Sequence, residues 1–216
     1  MRKVLLLGFV FFLLSSVVYG QEPRVSGGLK IGGNLNFPNW DPDVPIGSLS
    51  SGLSFNFGGM IDFNISKNFG IEVNILYNNF RTNWDYSETV LGILVNYETI
   101  FSLTTLSFPI LAKVKFPSKQ ATPFLGLGPE LGFILAHKGK LKITALGESI
   151  EETEDLMYLT GSFNFALILA GGVDIDLGQV KLTPELRFNL GLTNYRSGNS
   201  VSRKNSQIIL FFGVKF

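Results

Sequence analysis

The stretch SQIILFFGVKF at residues 206–216 alternates between two kinds of side chain. Counting back in twos from its end gives one unbroken apolar face, formed by Phe216, Val214, Phe212, Leu210 and Ile208. The opposite face carries Lys215 and Gln207 among glycine and apolar residues. A period of two over about ten residues matches the length of a β-strand that crosses a membrane obliquely. The stretch therefore predicts a membrane-spanning strand.

The first 20 residues have the features of a secretory signal peptide. Arg2 and Lys3 form a basic segment, residues 4–14 an apolar segment, and residues 18–20 a cleavage site. We therefore expect residues 1–20 to be removed and residues 21–216 to form one domain. Without Arg2 and Lys3 the chain has 16 basic and 17 acidic residues, so it lacks the basic footprint of a nucleic-acid-binding protein.

The composition indicates a membrane protein that does not span with helices. The chain has no cysteine, which excludes disulfides, thiolate metal sites, a thiol nucleophile and a lipoprotein anchor. Charged residues make up 16%, below the roughly 25% that is usual for soluble domains. Beyond the signal peptide no apolar run approaches the roughly 20 residues of a transmembrane helix. A closed barrel is then the way to satisfy every backbone group in lipid.

Seven further segments alternate in the same way. They span about residues 24–34, 52–65, 69 onward, 101–116, 122–136, 161–176 and 180–190. Long polar connections are predicted at residues 36–50, 81–99, 137–157 and 196–205. Short turns are predicted at residues 66–68, 117–120 and 177–179. Long connections that alternate with short turns are typical of outer-membrane barrels, with the long loops outside the cell.

The predicted fold is all-β, an eight-stranded antiparallel up-and-down transmembrane β-barrel. Three prolines within residues 36–50 are expected to prevent pairing there. The pattern does not fix the boundaries of the connection 81–99, because both flanking strands can extend into it. Pro109 and Pro184 lie inside strand patterns and predict bulges.

Several motifs resemble the PorT-like family of outer-membrane β-barrel proteins. They are residues 59–80, the run LSFPILAK at 106–113, GLGP at 126–129, PELRFNLGL at 184–192 and the final strand. Ser107 departs from the family pattern, which often has an acid there. The resemblance implies an integral outer-membrane protein that contacts outer-membrane lipid and the barrel insertion machinery, and it implies a possible partner in an envelope or secretion complex. It also implies that Phe212, Val214 and Phe216 form the C-terminal insertion signal.

The alternation points many charged side chains into the barrel. They are Lys30, Asp62, Glu72, Lys113, Lys115, Glu130, Asp174, Lys181, Glu185 and Arg187, with Lys215 on the final strand. One interpretation is a selective pore lining, and the other is a self-compensating plug. The interior of an eight-stranded barrel is just wide enough for side chains to fill it, which favours the plug. The inward glycines at positions 28, 32, 58, 126, 128, 132 and 172 would make room for the long side chains.

Three features outside the predicted lumen are candidate sites. His137, the only histidine, would need a serine or carboxylate partner for catalysis, so a surface or girdle position is expected. The acidic run at residues 148–155 could bind divalent cations but lacks the spacing of a calcium loop, so a solvated loop is expected. Aromatic residues near the predicted outer strand ends suggest a membrane girdle, with partner contact as the alternative for the two tryptophans. They are Trp40, Trp84, Tyr86, Tyr97, Tyr158 and Tyr195.

The sequence thus predicts a non-enzymatic protein of the cell outer membrane. It would act through its extracellular loops or as a component of an envelope or secretion complex. A narrow passive diffusion channel is the alternative, and a barrel enzyme that acts on lipid or a soluble lipocalin-like barrel is a remoter one. No catalytic, cofactor-binding or metal-binding residues are predicted.

Overall fold

A computed structural model describes residues 25–41, 47–194 and 202–216. The predicted signal peptide lies outside the described residues. Ten strands and one short 3-10 helix, Met157–Leu159, make up the regular structure of this part of the chain. The strands are β1 (Val25–Asp41), β2 (Ser48–Gly52), β3 (Ser54–Asn64), β4 (Phe69–Val90), β5 (Ile93–Lys115), β6 (Ala121–Ala145), β7 (Glu148–Asp155), β8 (Phe163–Asp176), β9 (Lys181–Gly191) and β10 (Ser202–Lys215).

Eight of these strands close into a ring. The order around it is β1, β3, β4, β5, β6, β8, β9 and β10, with every neighbouring pair antiparallel and β10 returning to β1. β2 pairs with β4 and β7 pairs with β6 beyond the ring. The predicted fold class is confirmed. No helix in the described ranges is long and apolar enough to cross a membrane.

The seam of the ring joins the first strand to the last. β1 and β10 pair from Gly28 opposite Lys215 to Asp41 opposite Ser202. At its lower end Phe216 exchanges backbone hydrogen bonds with Gly27, at 2.9 and 3.2 Å. The apolar face of the final strand points outward, and Phe212 and Phe216 are 60% and 72% exposed. Because this outward face is apolar on every ring strand, the barrel wall suits lipid rather than water.

Two predicted long loops are in fact β-hairpins. β4 and β5 pair as far as Val90 opposite Ile93, so most of residues 81–99 is strand. β6 runs on to Ala145 and pairs with β7, so most of residues 137–157 is strand as well. Each hairpin turns on a Leu-Gly pair with positive φ at both residues, 52° and 83° at residues 91–92 and 53° and 85° at 146–147. Such two-residue turns match the twist of paired strands but usually contain Asn or Asp before Gly, so the sequence signal was weak.

Parts of the first and last predicted loops are also strand. β1 continues through Pro38 to Asp41, and residues 48–52 form β2. Beyond Asn34 the strand pairs with β10 alone, and such one-sided strands tolerate proline. β10 already begins at Ser202. The remainder of these loops, residues 42–46 and 195–201, lies outside the described residues.

The prolines do not mark bulges. Pro109 pairs with Glu130 and Pro184 with Phe212, and the strand register is the same on both sides of each proline. A proline removes one N–H donor from the ladder, but its neighbours keep the strand extended. The register shifts elsewhere, between Thr104 and Thr105, where β6 contributes an extra residue.

The inward glycines serve two different purposes. A Cβ at position 126 would lie 3.4 Å from Ala170 and 3.6 Å from the side chain of Lys113, so this glycine borders a long side chain as predicted. A Cβ at position 128 would lie only 1.8 Å from the carbonyl oxygen of Ile110. There glycine is required by the close approach of the neighbouring strand's backbone, not by a side chain.

Candidate functional site

A carboxylate shared by several cations lies at the centre of the lumen. Glu72 accepts hydrogen bonds from Lys30 at 2.7 Å, Lys113 at 2.8 Å and Arg187 at 2.9 Å. Glu185 accepts from Lys30 at 2.9 Å and from the Nε of Arg187. The side chains in these ion pairs are 0% exposed. The pairs connect β1, β4, β5 and β9. Some join neighbouring strands, such as β4 and β5, and others cross the lumen, such as those between β4 and β9.

A second group of charges lies one layer closer to the short turns. Lys215 lies 2.9 Å from Asp62 and 2.8 Å from Asp174. Lys115 donates to both oxygens of Asp62 at 3.1 Å. Lys113 lies 3.6 Å from Asp62 and so connects this group to Glu72. We refer to both groups together, with Glu130, as the lumen network; it contains five basic and five acidic side chains.

Two aromatic rings cover the cations of the lumen network. The Nζ of Lys113 lies 3.6 Å from the ring centroid of Phe124, and the guanidinium carbon of Arg187 lies 4.9 Å from that of Phe211. Both rings are buried. Neither ring has a predicted role in the site, although Phe211 lies on the inward face of the final strand. An aromatic residue among inward polar positions is the signal that could have identified it.

Toward the long-stranded end the lumen is filled by amides and then by apolar side chains. Asn34 donates to Asn56 at 2.5 Å, Asn56 to Asn78 at 2.6 Å, and Asn78 to Ser107 at 2.7 Å. Glu130 belongs to this layer and accepts from Asn189 at 3.0 Å. Above it Phe80, Leu103 and Ile134 form a buried apolar cluster. Buried side chains therefore occupy the barrel interior at three successive levels.

Lys181 does not join the lumen network. It is half-buried at the mouth between the short turns, and it forms no ion pair with any described residue. The mouth is a cavity of about 600 Å³ that is also lined by Asp62, Asp174 and Lys215. The other predicted lumen charges lie inside the barrel. The residues named as an insertion signal, Phe212, Val214 and Phe216, face outward, and their role stays a prediction.

The long strands carry a β-sheet well beyond the barrel. β4 has 22 residues and β5 has 23, whereas a membrane-crossing strand needs roughly 9–11. Their outer halves, with β2, the end of β6 and β7, form a sheet that we call the projecting sheet. Long connections lie outside the cell in outer-membrane barrels, so we expect this sheet to be extracellular.

The inner face of the projecting sheet, which continues the lumen wall, is aromatic. Trp84 stacks on Tyr86 with ring centroids 6.1 Å apart, and Tyr86 stacks on Tyr97 at 5.4 Å. Both tyrosine hydroxyls donate to Glu88, at 2.5 and 3.0 Å, and these bonds raise the pKa of Tyr86 and the pKa of Tyr97 above the usual value. These three aromatics lie on the lumen side of the sheet and cannot form the predicted girdle. Tyr158 is exposed in the 3-10 helix, and the side chains of Trp40 and Tyr195 lie outside the described set.

The acidic run is a strand paired with a basic strand. β7 lies antiparallel to the end of β6, with Lys142 opposite Glu151. Lys140 lies 2.7 Å from Glu151, and this contact lowers the pKa of Glu151. The run is solvent-exposed as expected, but it is a strand and not a loop, and Lys140 pairs with one of its acids, Glu151. Within the described ranges no group of three or more His, Asp or Glu residues could hold a metal ion.

His137 is buried, contrary to the expected surface or girdle position. Its side chain points into the outer end of the barrel, and its Nδ1 lies 2.7 Å from Oγ1 of Thr160. Thr160 donates its own proton to the carbonyl of Leu156 at 2.7 Å. Nδ1 of His137 is therefore the donor to Thr160. The contact holds the segment that contains the 3-10 helix against the barrel.

The chain matches one protein-family model over most of its length. The family model described as outer membrane protein beta-barrel domain matches residues 19–196, most of the 216-residue chain. The chain belongs to this family. The protein is therefore an integral β-barrel of the cell outer membrane.

Solved barrels are similar to this chain only in fold. The attachment invasion locus protein Ail of Yersinia pestis, solved with the heparin analogue sucrose octasulfate, is 13% identical; 89% of this chain aligns with 99% of Ail at a TM-score of 0.40. Neisserial surface protein A is 13% identical, with 88% and 97% of the chains aligned at 0.44. OprG from Pseudomonas aeruginosa is 13% identical, with 89% and 94% aligned at 0.47. Among proteins of curated function, none matches this chain.

Proposed function

We propose that the protein is a non-conducting, non-enzymatic anchor that presents the projecting sheet to a partner outside the cell. The observation that carries this proposal is the lumen network, whose ion pairs cross the barrel with side chains that are 0% exposed around Glu72. Five basic and five acidic groups compensate one another there. A selective pore would instead leave one sign of charge free to attract an ion.

The narrow diffusion channel is the alternative. An ion on this route would have to separate Glu72 from Lys30 and Arg187, which lie 2.7 and 2.9 Å away. Breaking buried ion pairs leaves charges without partners, which costs several kcal/mol. The amide layer and the apolar cluster around Phe80 would also have to move. The packing therefore supports a closed barrel.

The inner face of the projecting sheet has the chemistry of a contact surface for a basic partner. On β4, β5, β6 and β7 the strand register places Glu88, Glu148, Glu152 and Glu154 on the face that carries Trp84, Tyr86 and Tyr97. No described Lys or Arg of these strand ends shares that face, whereas Lys138, Lys140 and Lys142 lie on the opposite one. Charge complementarity favours a protein surface with basic and apolar residues. The PorT-like resemblance suggests that this partner belongs to an envelope or secretion complex.

The closed lumen is tested by single-channel recording. The full chain is refolded into planar bilayers beside a conducting porin as the positive control. We expect no stable conductance steps from this protein, because the lumen network fills its cross-section. Reproducible steps from correctly folded protein would contradict the proposed anchor and support the channel.

The contact face is tested by site-specific photo-crosslinking in intact outer membranes. A photoreactive amino acid is introduced at Tyr97, and in a second variant at Asn96, which is adjacent in sequence but lies on the opposite face. We expect a discrete crosslinked protein from the variant at Tyr97 and much less from the variant at Asn96. Equal crosslinking from the two faces, or none from either, would count against the proposed contact face.

A further inference from the structure

The outer wall of the barrel changes from apolar to polar at one level on three adjacent strands. Outward side chains on β4 pass from Ile75 and Tyr77 to Asn79 and Arg81. On β5 and β6 the change comes at the positions paired with these, beyond Leu106 and Ala136, and Ile100 is one apolar outward residue further along β5. The outward polar residues beyond this level are Thr104, Ser102 and Lys138. The apolar band of an outer-membrane barrel is about 25 Å tall, so this boundary marks the headgroup region of the outer leaflet.

A groove of about 410 Å³ lies at this boundary. It coincides with the register shift, since Thr104 pairs with Ala136 and Thr105 with Ile134, which leaves Leu135 as the extra residue of β6. β-bulges bend a strand locally and redirect its side chains. The groove is lined by Tyr77, Ser102, Thr104, Leu135, Ala136 and Lys138. Because these side chains face the bilayer, the groove opens to lipid and not to the lumen.

A buried asparagine organises the polar part of the groove. Asn79 is 8% exposed although it lies on the outward side of β4. Its Nδ2 donates to Oγ of Ser102 and to Oγ1 of Thr104, both at 3.2 Å. Each hydroxyl thus accepts a bond from Asn79, and no described residue accepts the proton of either. The Oδ1 of Asn79 is also buried without a described partner. The groove therefore presents two hydroxyl donors that Asn79 holds in position.

Two cations with no carboxylate partner flank these donors. The strand register places Arg81, Ser102 and Lys138 in one row across β4, β5 and β6. Neither Arg81 nor Lys138 forms an ion pair with a described residue. By contrast, the next two lysines of β6, Lys140 and Lys142, lie 2.7 and 3.9 Å from glutamates. Asp155, opposite Lys138 on β7, accepts instead from the backbone N–H of Met157 at 2.9 Å.

We propose that this groove binds the phosphorylated headgroup of an outer-leaflet lipid. Lys138 and Arg81 would bind the phosphate, and the hydroxyls of Ser102 and Thr104 would donate to its oxygens or to an ester carbonyl. Hydrogen bonds with a charged donor or acceptor are stronger than those between neutral groups. An acyl chain would run down the apolar wall past Tyr77 and Leu135. A soluble anion would not use that wall, so the apolar surface beside the groove favours a lipid.

The test is native mass spectrometry of the full chain, refolded in an uncharged detergent and titrated with diphosphoryl lipid A. We expect one retained lipid per barrel. Lys138→Gln and Arg81→Gln should each weaken its binding by about tenfold, the loss expected for one charged hydrogen bond. The pair Ser102→Ala with Thr104→Val should weaken binding without changing the charge. Zwitterionic phosphatidylcholine should bind measurably more weakly.

Lys140→Gln is the matched control, because it removes the same charge two residues further along the same face. It should leave lipid binding within about twofold of the unchanged protein. An equal loss from Lys138→Gln and Lys140→Gln would overturn the proposal in favour of general electrostatic attraction. Equal binding of phosphatidylcholine, or full displacement of the lipid by inorganic phosphate, would overturn it too. If Lys138→Gln fails to fold, the hydroxyl variants and Arg81→Gln decide the question.

Discussion

Glu72 is the residue on which the interior of the barrel depends most directly. Its two oxygens accept from Lys30, Lys113 and Arg187, which come from three other strands. A buried ion pair adds little net stability when it is intact, but the loss of one partner leaves an uncompensated charge. The structural value of Glu72 is therefore that it keeps three buried cations neutralised at once.

Glu72→Gln keeps the shape of the side chain and removes its charge. We expect the free energy of unfolding in lipid vesicles to fall by about 3–5 kcal/mol, because the three cations lose their shared anion. Urea titration of the refolded barrel measures the change. Glu151→Gln breaks the exposed pair with Lys140 and should cost no more than about 1 kcal/mol. Similar losses in the two variants would contradict a central role for Glu72.

Glu88 sets the ionisation of the aromatic stack. Its hydrogen bonds raise the pKa of Tyr86 and the pKa of Tyr97. Because these pKa values are higher in the folded state, the two hydrogen bonds stabilise the fold fully below the usual tyrosine pKa of about 10. This stabilisation is lost as the pH rises through the pKa of the folded state. Glu88→Gln should therefore lower both values, which an absorbance titration at a tyrosinate wavelength would detect. Glu98→Gln, on the opposite face, should leave the curve unchanged.

At the scale of strands, the close approach of neighbouring strands limits which residues fit at an inward position. β6 approaches β5 so closely at Gly128 that a Cβ would lie 1.8 Å from a backbone oxygen, whereas Gly126, two residues earlier, has ordinary space. Gly128→Ala should destabilise the barrel by about 1–3 kcal/mol, the usual cost of overpacking. Gly126→Ala should cost less than about 1 kcal/mol. Urea titration of both variants compares them, and equal effects would show that the close approach does not constrain the strand.

Strand faces could be predicted because alternation is local, whereas contacts across the lumen could not. The inward and outward sides of the final strand follow from counting in twos, and the structure has them as predicted. Arg187 and Glu72, however, are 115 residues apart in the chain, and only closure of the ring makes them neighbours. The hairpins at residues 91–92 and 146–147 were missed because Leu-Gly is an uncommon pair at such turns. The groove was missed because the register shift at Thr104 has no proline or glycine to indicate it.

At the scale of the whole molecule, the protein divides into a barrel whose interior is filled by side chains and a sheet that projects beyond it. The lumen network belongs entirely to the first part, and the stack of Trp84, Tyr86 and Tyr97 to the second. Substitutions in the stack should therefore alter partner contact without opening the barrel. The crosslinking and conductance measurements report on these two parts separately.

The seam between β1 and β10 also constrains the order of events during folding. The two strands are the first and the last of the described chain, so their pairing has the greatest sequence separation in the ring. Contacts of this kind carry a large loop-closure entropy and form slowly. Until β10 has been synthesised and delivered, β1 has an open edge that other strands could join. Such a chain cannot complete its fold while it is being made, and it needs protection from aggregation until both ends reach the membrane together.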